Sequence, residues 1–333
     1  MEYRVRYALK EDMNGIMRFI DRFWRRNHIL SRNRELFEWQ YGGNKDRLNI
    51  IIGVDEKNEI QGMLGFVPYR DSDDKDFALA LWKANPITGF LGVKLIKYLM
   101  ENEPHRTIVC PGINLDTTKK IYEYLGMTVG TMKQWYRLAK KDSYKIARIV
   151  NNEIPLYETK AMDVKLIKLD SVKELEAAFD FENSAYLKGV PYKSLQYIQK
   201  RYYDHPMYDY IVYALKDNKE KSDTLFVFRV QDCNDSHALR MIDCIGQCDR
   251  IEQITDEIDK LLVEYDCEYV DVYEAGIKDE TMISGGWKKV MDEGNIIPDY
   301  FSPYEQRKVD IHYSSENQRV VLFKGDGDQD RPS

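Results

Sequence analysis

The feature that most constrains this chain is an internal echo. FEWQY at 37–41 precedes LNIIIGVDEKNEIQGMLGF at 48–66, and YIQKRYYDHP at 197–206 precedes YDYIVYALKDNKEKSDTLFVF at 208–228. A helical segment leads into an apolar meander both times, about 160 residues apart, which reads as duplication of a whole unit. With 333 residues the chain suits two domains, each able to bury a core.

The element order can be read in each half. Tyr3–Ala8 alternates as a strand. Ile16, Phe19, Ile20 and Phe23 share one face of a helix predicted from Asp12, its N-cap, to Asn27. A second helix runs from Asn33 to Tyr41 and stops at Gly42-Gly43. Two strands joined at Glu56–Asn58, and a third over FALALWKA (77–84), complete a meander. Then come a helix (Gly92–Met100), a strand (TIVCPGI), a helix (Asp116–Leu125) and one long final strand over MTVGTMKQWYRLA. The second half has a strand at DVKLIKL, two helical stretches, a three-strand meander and an amphipathic helix within 251–266. A strand at EYVDVYEAG, a short helix ending at Gly285-Gly286, and strands at KVDIHYSS and RVVLFKG close it. Residues 141–163 are polar and read as a connector. The predicted domains are 1–145 and 160–333. The predicted fold class is α/β (α+β): two tandem domains, each a mixed, mainly antiparallel central sheet flanked by helices.

Bulk properties narrow the function. A formal net charge of −7 argues against general nucleic-acid binding. No run of 18 apolar residues exists, so no membrane helix is expected. The five cysteines (Cys110, Cys233, Cys244, Cys248, Cys267) are odd in number, and the charged start MEYRVRYALKED is no targeting sequence. Reduced thiols and a cytoplasmic location are therefore expected. Cys244 and Cys248 lack the CxxC or paired-His context of a zinc site, so no metal is expected.

The stretch 81–138 carries the chemistry. LWKANPITGFLGVKLIKYLM reads as strand, glycine-bearing turn and amphipathic helix. RTIVCPGIN is the next strand, and IYEYLGMTVG places Tyr122 four residues before Gly126. A turn entering a helix N-terminus offers unpaired N–H groups and a favourable dipole to an anion. This stretch, with the β-α-α-β-β-β-α-β-α-β order over residues 3–140, resembles the Gcn5-related N-acetyltransferase (GNAT) superfamily. The ending RVVLFKGDGDQDRP resembles that of bacterial tandem-GNAT proteins of surface-polysaccharide gene clusters. The resemblance implies an acyl-CoA-dependent N-acyltransferase, using acetyl-CoA or another acyl-CoA. Its acceptor would be a small-molecule amine, such as the aminosugar of a nucleotide sugar.

By that resemblance, Trp82, Lys83, Ala84, Gly89, Phe90, Leu91, Gly92, Val93 and Asn114 would contact the cofactor. The turn departs from the family's Gln/Arg-x-x-Gly-x-Gly/Ala pattern, with Ile87 and Phe90 at two of its positions. Tyr122 takes the place of the acid that protonates the leaving thiolate; the alternative is a core aromatic. Asn114 either contacts the pantetheine arm or caps the next helix. The fourth strand carries no carboxylate to serve as base. His28 is the candidate, as a base through water or as a helix-end cation. Glu38, Trp39 and Tyr41 are candidates for the acceptor wall, with packing the competing role for Trp39. In the second half CIGQCDRIEQI has no phosphate cradle, so no CoA site is expected there. Arg201, Tyr202, His205, Asp299 and Tyr300 would either line a sugar site or pack loops. The alternating Asp326, Asp328 and Asp330 read as a solvated tail or a cation site. Two rival readings are an aminoacyl transferase of the Fem type and a catalytically inert pair that binds a sugar or protein.

Overall fold

The computed structural model describes residues 2–150, 162–291 and 294–332; residues 151–161 of the predicted connector lie outside them. The strands are β1 (Arg4–Leu9), β2 (Arg47–Val54), β3 (Ile60–Pro68), β4 (Asp76–Ala84), β5 (Thr107–Ile113), β6 (Thr128–Thr131), β7 (Lys133–Leu138), β8 (Lys165–Lys168), β9 (Ile211–Lys216), β10 (Thr224–Cys233), β11 (Ser236–Gly246), β12 (Cys267–Ala275), β13 (Lys288–Lys289), β14 (Tyr300–Phe301), β15 (Tyr304–Glu305), β16 (His312–Ser315) and β17 (Leu322–Phe323). The helices are α1 (Met13–Phe19), α2 (Ile29–Arg32), α3 (Arg34–Tyr41), α4 (Leu91–Asn102), α5 (Leu115–Tyr124), α6 (Val172–Ala178), α7 (Ser184–Leu187), α8 (Leu195–Ile198), α9 (Thr255–Glu264) and α10 (Asp279–Ser284).

The first sheet has the order β1-β2-β3-β4-β5-β16-β6, and the second β13-β7-β12-β11-β10-β9-β8. Each contains one parallel pair, β4–β5 and β11–β12, among antiparallel neighbours. The two sheets are thus mixed, mainly antiparallel and equivalent in plan, as the echo predicts.

The units exchange strands. The predicted long strand over 127–139 breaks at Met132, a buried residue whose N–H donates to Ile311 O at 2.8 Å. Before the break β6 belongs to the first sheet; after it β7 enters the second, between β12 and β13. In return β16 inserts between β5 and β6. Sheet membership therefore does not follow the linear division at 145 and 160. Periodicity reports which faces are buried, not which sheet buries them.

Helices α4 and α5 cover one face of the first sheet, burying Leu91, Leu95, Ile96, Leu99 and Tyr122. Helices α9 and α10 do the same for the second. The opposite faces share one core, in which Ile16, Phe19 and Tyr41 join Tyr197, Tyr202 and Ile242. Apolar residues cover both faces of the central strands, so β2 is buried from Leu48 to Val54. Asp12 does not cap α1. Its carboxylate instead pairs with Arg6 at 2.7 Å and accepts from Leu9 N–H at 2.8 Å.

Candidate active site

The site begins with a defect in β4. Gly65 pairs with Ala80 but Met63 pairs with Lys83, so Leu81 and Trp82 together face Leu64. Leu81 has φ +48°, a strained value for a leucine that costs roughly 1–2 kcal/mol. The β4–β5 ladder runs through Asp76↔Thr107, Phe77↔Ile108 and Ala78↔Val109, then ends. Beyond Ala78 no further β4–β5 backbone pairing occurs, and the Leu79 backbone is hydrogen-bonded to the Cys110 side chain instead. Sequence patterning gave no sign of the bulge, because leucine is not a residue that announces positive φ.

The turn after β4 leads to an open helix end. Asn85 holds the turn, accepting from Ile87 N–H and donating to Gln61, while Thr88 Oγ1 donates to Asn85 O at 2.6 Å. Gly89 has φ +60° and ψ −119°, and a Cβ there would meet open space, so its role is conformational. No side chain caps α4, a 12-residue helix. Its first-turn N–H groups have no intrahelical acceptor, and its dipole favours an anion. Ile87 and Phe90 are 76 % and 81 % exposed beside it. Lys83 is half-buried and without an ion-pair partner among the described residues. Leu91 is an anchor: Gly53 and Gly62 leave room for its side chain on the sheet, and only its backbone faces the turn.

Gly92, Trp82 and Tyr122 meet behind this turn. Trp82 Nε1 donates to Gly92 O at 3.2 Å, and its ring meets that of Tyr122 edge-on, with centroids 5.5 Å apart. Tyr122 is buried, and its hydroxyl lies against the Cys110 thiol, one residue past the end of the β4–β5 ladder. Burial pushes this phenol well above its usual range and the thiol upward too. Tyr122 is thus a core aromatic whose hydroxyl is hydrogen-bonded to Cys110 beside the gap. Asn114 is exposed and caps α5, accepting from Thr117 N–H at 3.2 Å.

The other face of the gap is lined by the segment read from the sequence as a solvated tail or a cation site. Asp326, Asp328 and Asp330 are all buried. Asp326 pairs with Lys193 at 2.9 Å, Asp328 with Arg331, and Asp330 with Arg229 at 2.7 Å. Burial raises Asp330, but Arg229 overrides it and holds the carboxyl well below the usual range. Gly327, with φ +63°, reaches Ala78 and Pro111, and Gln329 Nε2 donates to Pro111 O at 3.2 Å. The alternation of Asp with small residues was visible; its cationic partners, over a hundred residues away in two cases, were not.

His28 does not fit a base. Its Nδ1 accepts from Leu30 N–H at 3.2 Å, capping α2, so the neutral ring carries its proton on Nε2 and can only donate there. Burial and the nearby Arg331 lower its pKa to about 4. Tyr41 is fully buried near Asp328 and Arg331, and its hydroxyl has no hydrogen-bond partner among the described residues. Glu38 is exposed and pairs with Arg34, so it stands outside this group. Trp39 joins the two units: its Nε1 donates to Lys200 O at 3.1 Å and its ring meets His205 at 4.4 Å.

The remaining polar residues of the second unit serve the interior. Arg201 donates to Gly325 O and Asp330 O, Tyr202 to Asp243, and Asp299 holds Arg240 and Lys324. Of the five, Tyr300 is exposed. The gap equivalent to that beside β4 is closed here, because β17 pairs with β12 at Glu274 and Ala275 and Gly325 N–H donates to Ile242 O of β11. Among the described residues no cluster of three or more metal-ligating side chains occurs, and no helix is long and apolar enough to cross a membrane.

No family model and no curated protein matches the chain. Solved structures do. A GCN5-related N-acetyltransferase from Anabaena variabilis superposes with a TM-score of 0.52 and 11% identity, over 95% of this chain and 73% of that one. A conserved protein of unknown function from Enterococcus faecalis, described as a probable N-acyltransferase, gives 0.55 and 8%, over 94% and 72%. Bulged β4, parted β4–β5 pair and paired sheets together give this chain the GNAT fold, built as two GNAT-like units.

Proposed function

We propose that the chain is an acyl-CoA-dependent N-acyltransferase with one active site, in the first unit. One observation carries the reading: the parted β4–β5 edge lies directly beside the uncapped N-terminus of α4. An extended thioester arm fits the former and a pyrophosphate the latter. The first-turn N–H groups of α4 and Lys83 would hold the phosphates. N–H groups of β4 beyond the end of its ladder with β5 would polarise the thioester carbonyl. Tyr122 would give its proton to the departing sulfur. With His28 excluded, Asp328 is the carboxylate on the opposite face of the gap, and we assign it the proton of the attacking amine.

The acceptor is an amine that enters between the units, near Tyr41 and Asp328. An aminosugar, soluble and small, suits the buried carboxylate and the unsatisfied Tyr41 hydroxyl; the polysaccharide setting rests on the resemblance of the tail alone. Acetyl-CoA titration followed by a thiol-release assay with glucosamine and other amines tests the reading. Binding without turnover on any amine would leave a thioester binder; no binding at millimolar concentration would overturn it.

A further inference from the structure

A second site lies at the far end of the same sheet. Strand β4 runs nine residues from Asp76 to Ala84, so its ends are about 25–30 Å apart. Beside the Asp76 end is a cavity of about 490 Å³ between the α3–β2 corner, the β3–β4 hairpin and α8 of the second unit. Four cations line it: Arg47, Arg70, Lys75 and Lys200.

Their partners do not balance them. Arg47 and Lys75 share one carboxylate, Glu103, at 2.8 and 3.0 Å. Arg70 pairs with Asp74 at 2.6 Å. Lys200 has no carboxylate partner among the described residues; its ammonium lies 5.9 Å from the centre of the Trp39 ring. Burial also lowers its pKa. Asp71 and Asp73 stand exposed on the rim, where water screens them. Lys200 is therefore the one cation of the four without a carboxylate within ion-pair distance among the described residues. The Nε atoms of Arg47 and Arg70 are buried hydrogen-bond donors without acceptors among the described residues. A buried unpaired cation and two idle donors are costly unless a ligand completes them.

We infer that this cavity binds a phosphate monoester of a small metabolite. Phosphate oxygens can accept from the idle Arg Nε atoms, and the unpaired lysine serves phosphate as a point charge. The site is separate from the proposed acyl-transfer site and does not depend on it.

The test is thermal unfolding of the whole chain with inorganic phosphate, citrate, or sodium chloride at matched ionic strength. Wild type should gain several degrees with phosphate, less with citrate and little with chloride. Lys200→Met should lose that phosphate response while unfolding, without ligand, no lower than wild type. Phe90→Asp, which blocks the α4 terminus, should keep it. An unchanged response in Lys200→Met, or an equal response to chloride, overturns the site. A larger response to citrate overturns the phosphate assignment. Should Lys200→Met not fold, Arg70→Gln is read the same way.

Discussion

A Cβ added to Gly327 would lie 3.2 Å from that of Ala78, the residue at which β4 stops pairing with β5. One short segment thus closes the gap of the second unit with β17 and, a few residues on, lines the gap of the first. The second unit supplies a wall of the gap, and the proposed base, to the unit proposed to bind the thioester.

Gly327→Val should break this contact. The left-handed backbone disfavours valine, and the new methyls meet Ala78 and Pro111. A loss of roughly 2–3 kcal/mol, read as a lower urea midpoint with little change in m, is expected. Wild-type stability would remove the tail from the account of the site.

Tyr122→Phe and Asp328→Asn should separate binding from chemistry. Each should lower kcat by about 10²–10⁴-fold while acetyl-CoA affinity stays within a few-fold of wild type. Retained kcat in Asp328→Asn would leave the reaction without the base assigned here.

Stability should fall on acidification, in part through His28. Its folded pKa, lowered to about 4 by burial and Arg331, lies below the unfolded value of 6.5. The unfolded chain therefore binds the proton first. The stabilisation is full above pH 6.5 and is lost as pH falls toward 4. His205, lowered to about 3 by burial and Arg201, acts in the same direction. Melting curves from pH 7 to 4.5 should show a shallower slope for His28→Asn, which keeps a capping acceptor.

Leu91→Ala should loosen the start of α4. The side chain fills space left by Gly53 and Gly62, so its loss should cost about 2–4 kcal/mol by chemical denaturation. Acetyl-CoA affinity should fall as well, because the N–H groups of that turn lose their anchor.

Local signals were legible in the sequence and distant ones were not. The turn at 85–93, the helix bearing Tyr122 and the Asn114 cap depend on neighbours within a few residues. The break at Met132 depends on Ile311, and the burial of Asp326 and Asp330 on Lys193 and Arg229. Read locally, an alternating Asp segment at a chain end is a solvated tail; only the strand exchange between units brings it inside. His28 was misassigned for a smaller reason: its ring nitrogen caps a four-residue helix that periodicity did not resolve.

The central claim is that the open end of α4 receives the phosphates of an acyl-CoA. Isothermal titration of acetyl-CoA into wild type and Phe90→Asp tests it most directly. Phe90 is exposed, so the substitution should not lower the melting temperature, yet its carboxylate would stand where the phosphates bind. The account predicts measurable binding to wild type and a loss of at least tenfold in the variant. Equal affinity in both proteins would contradict it.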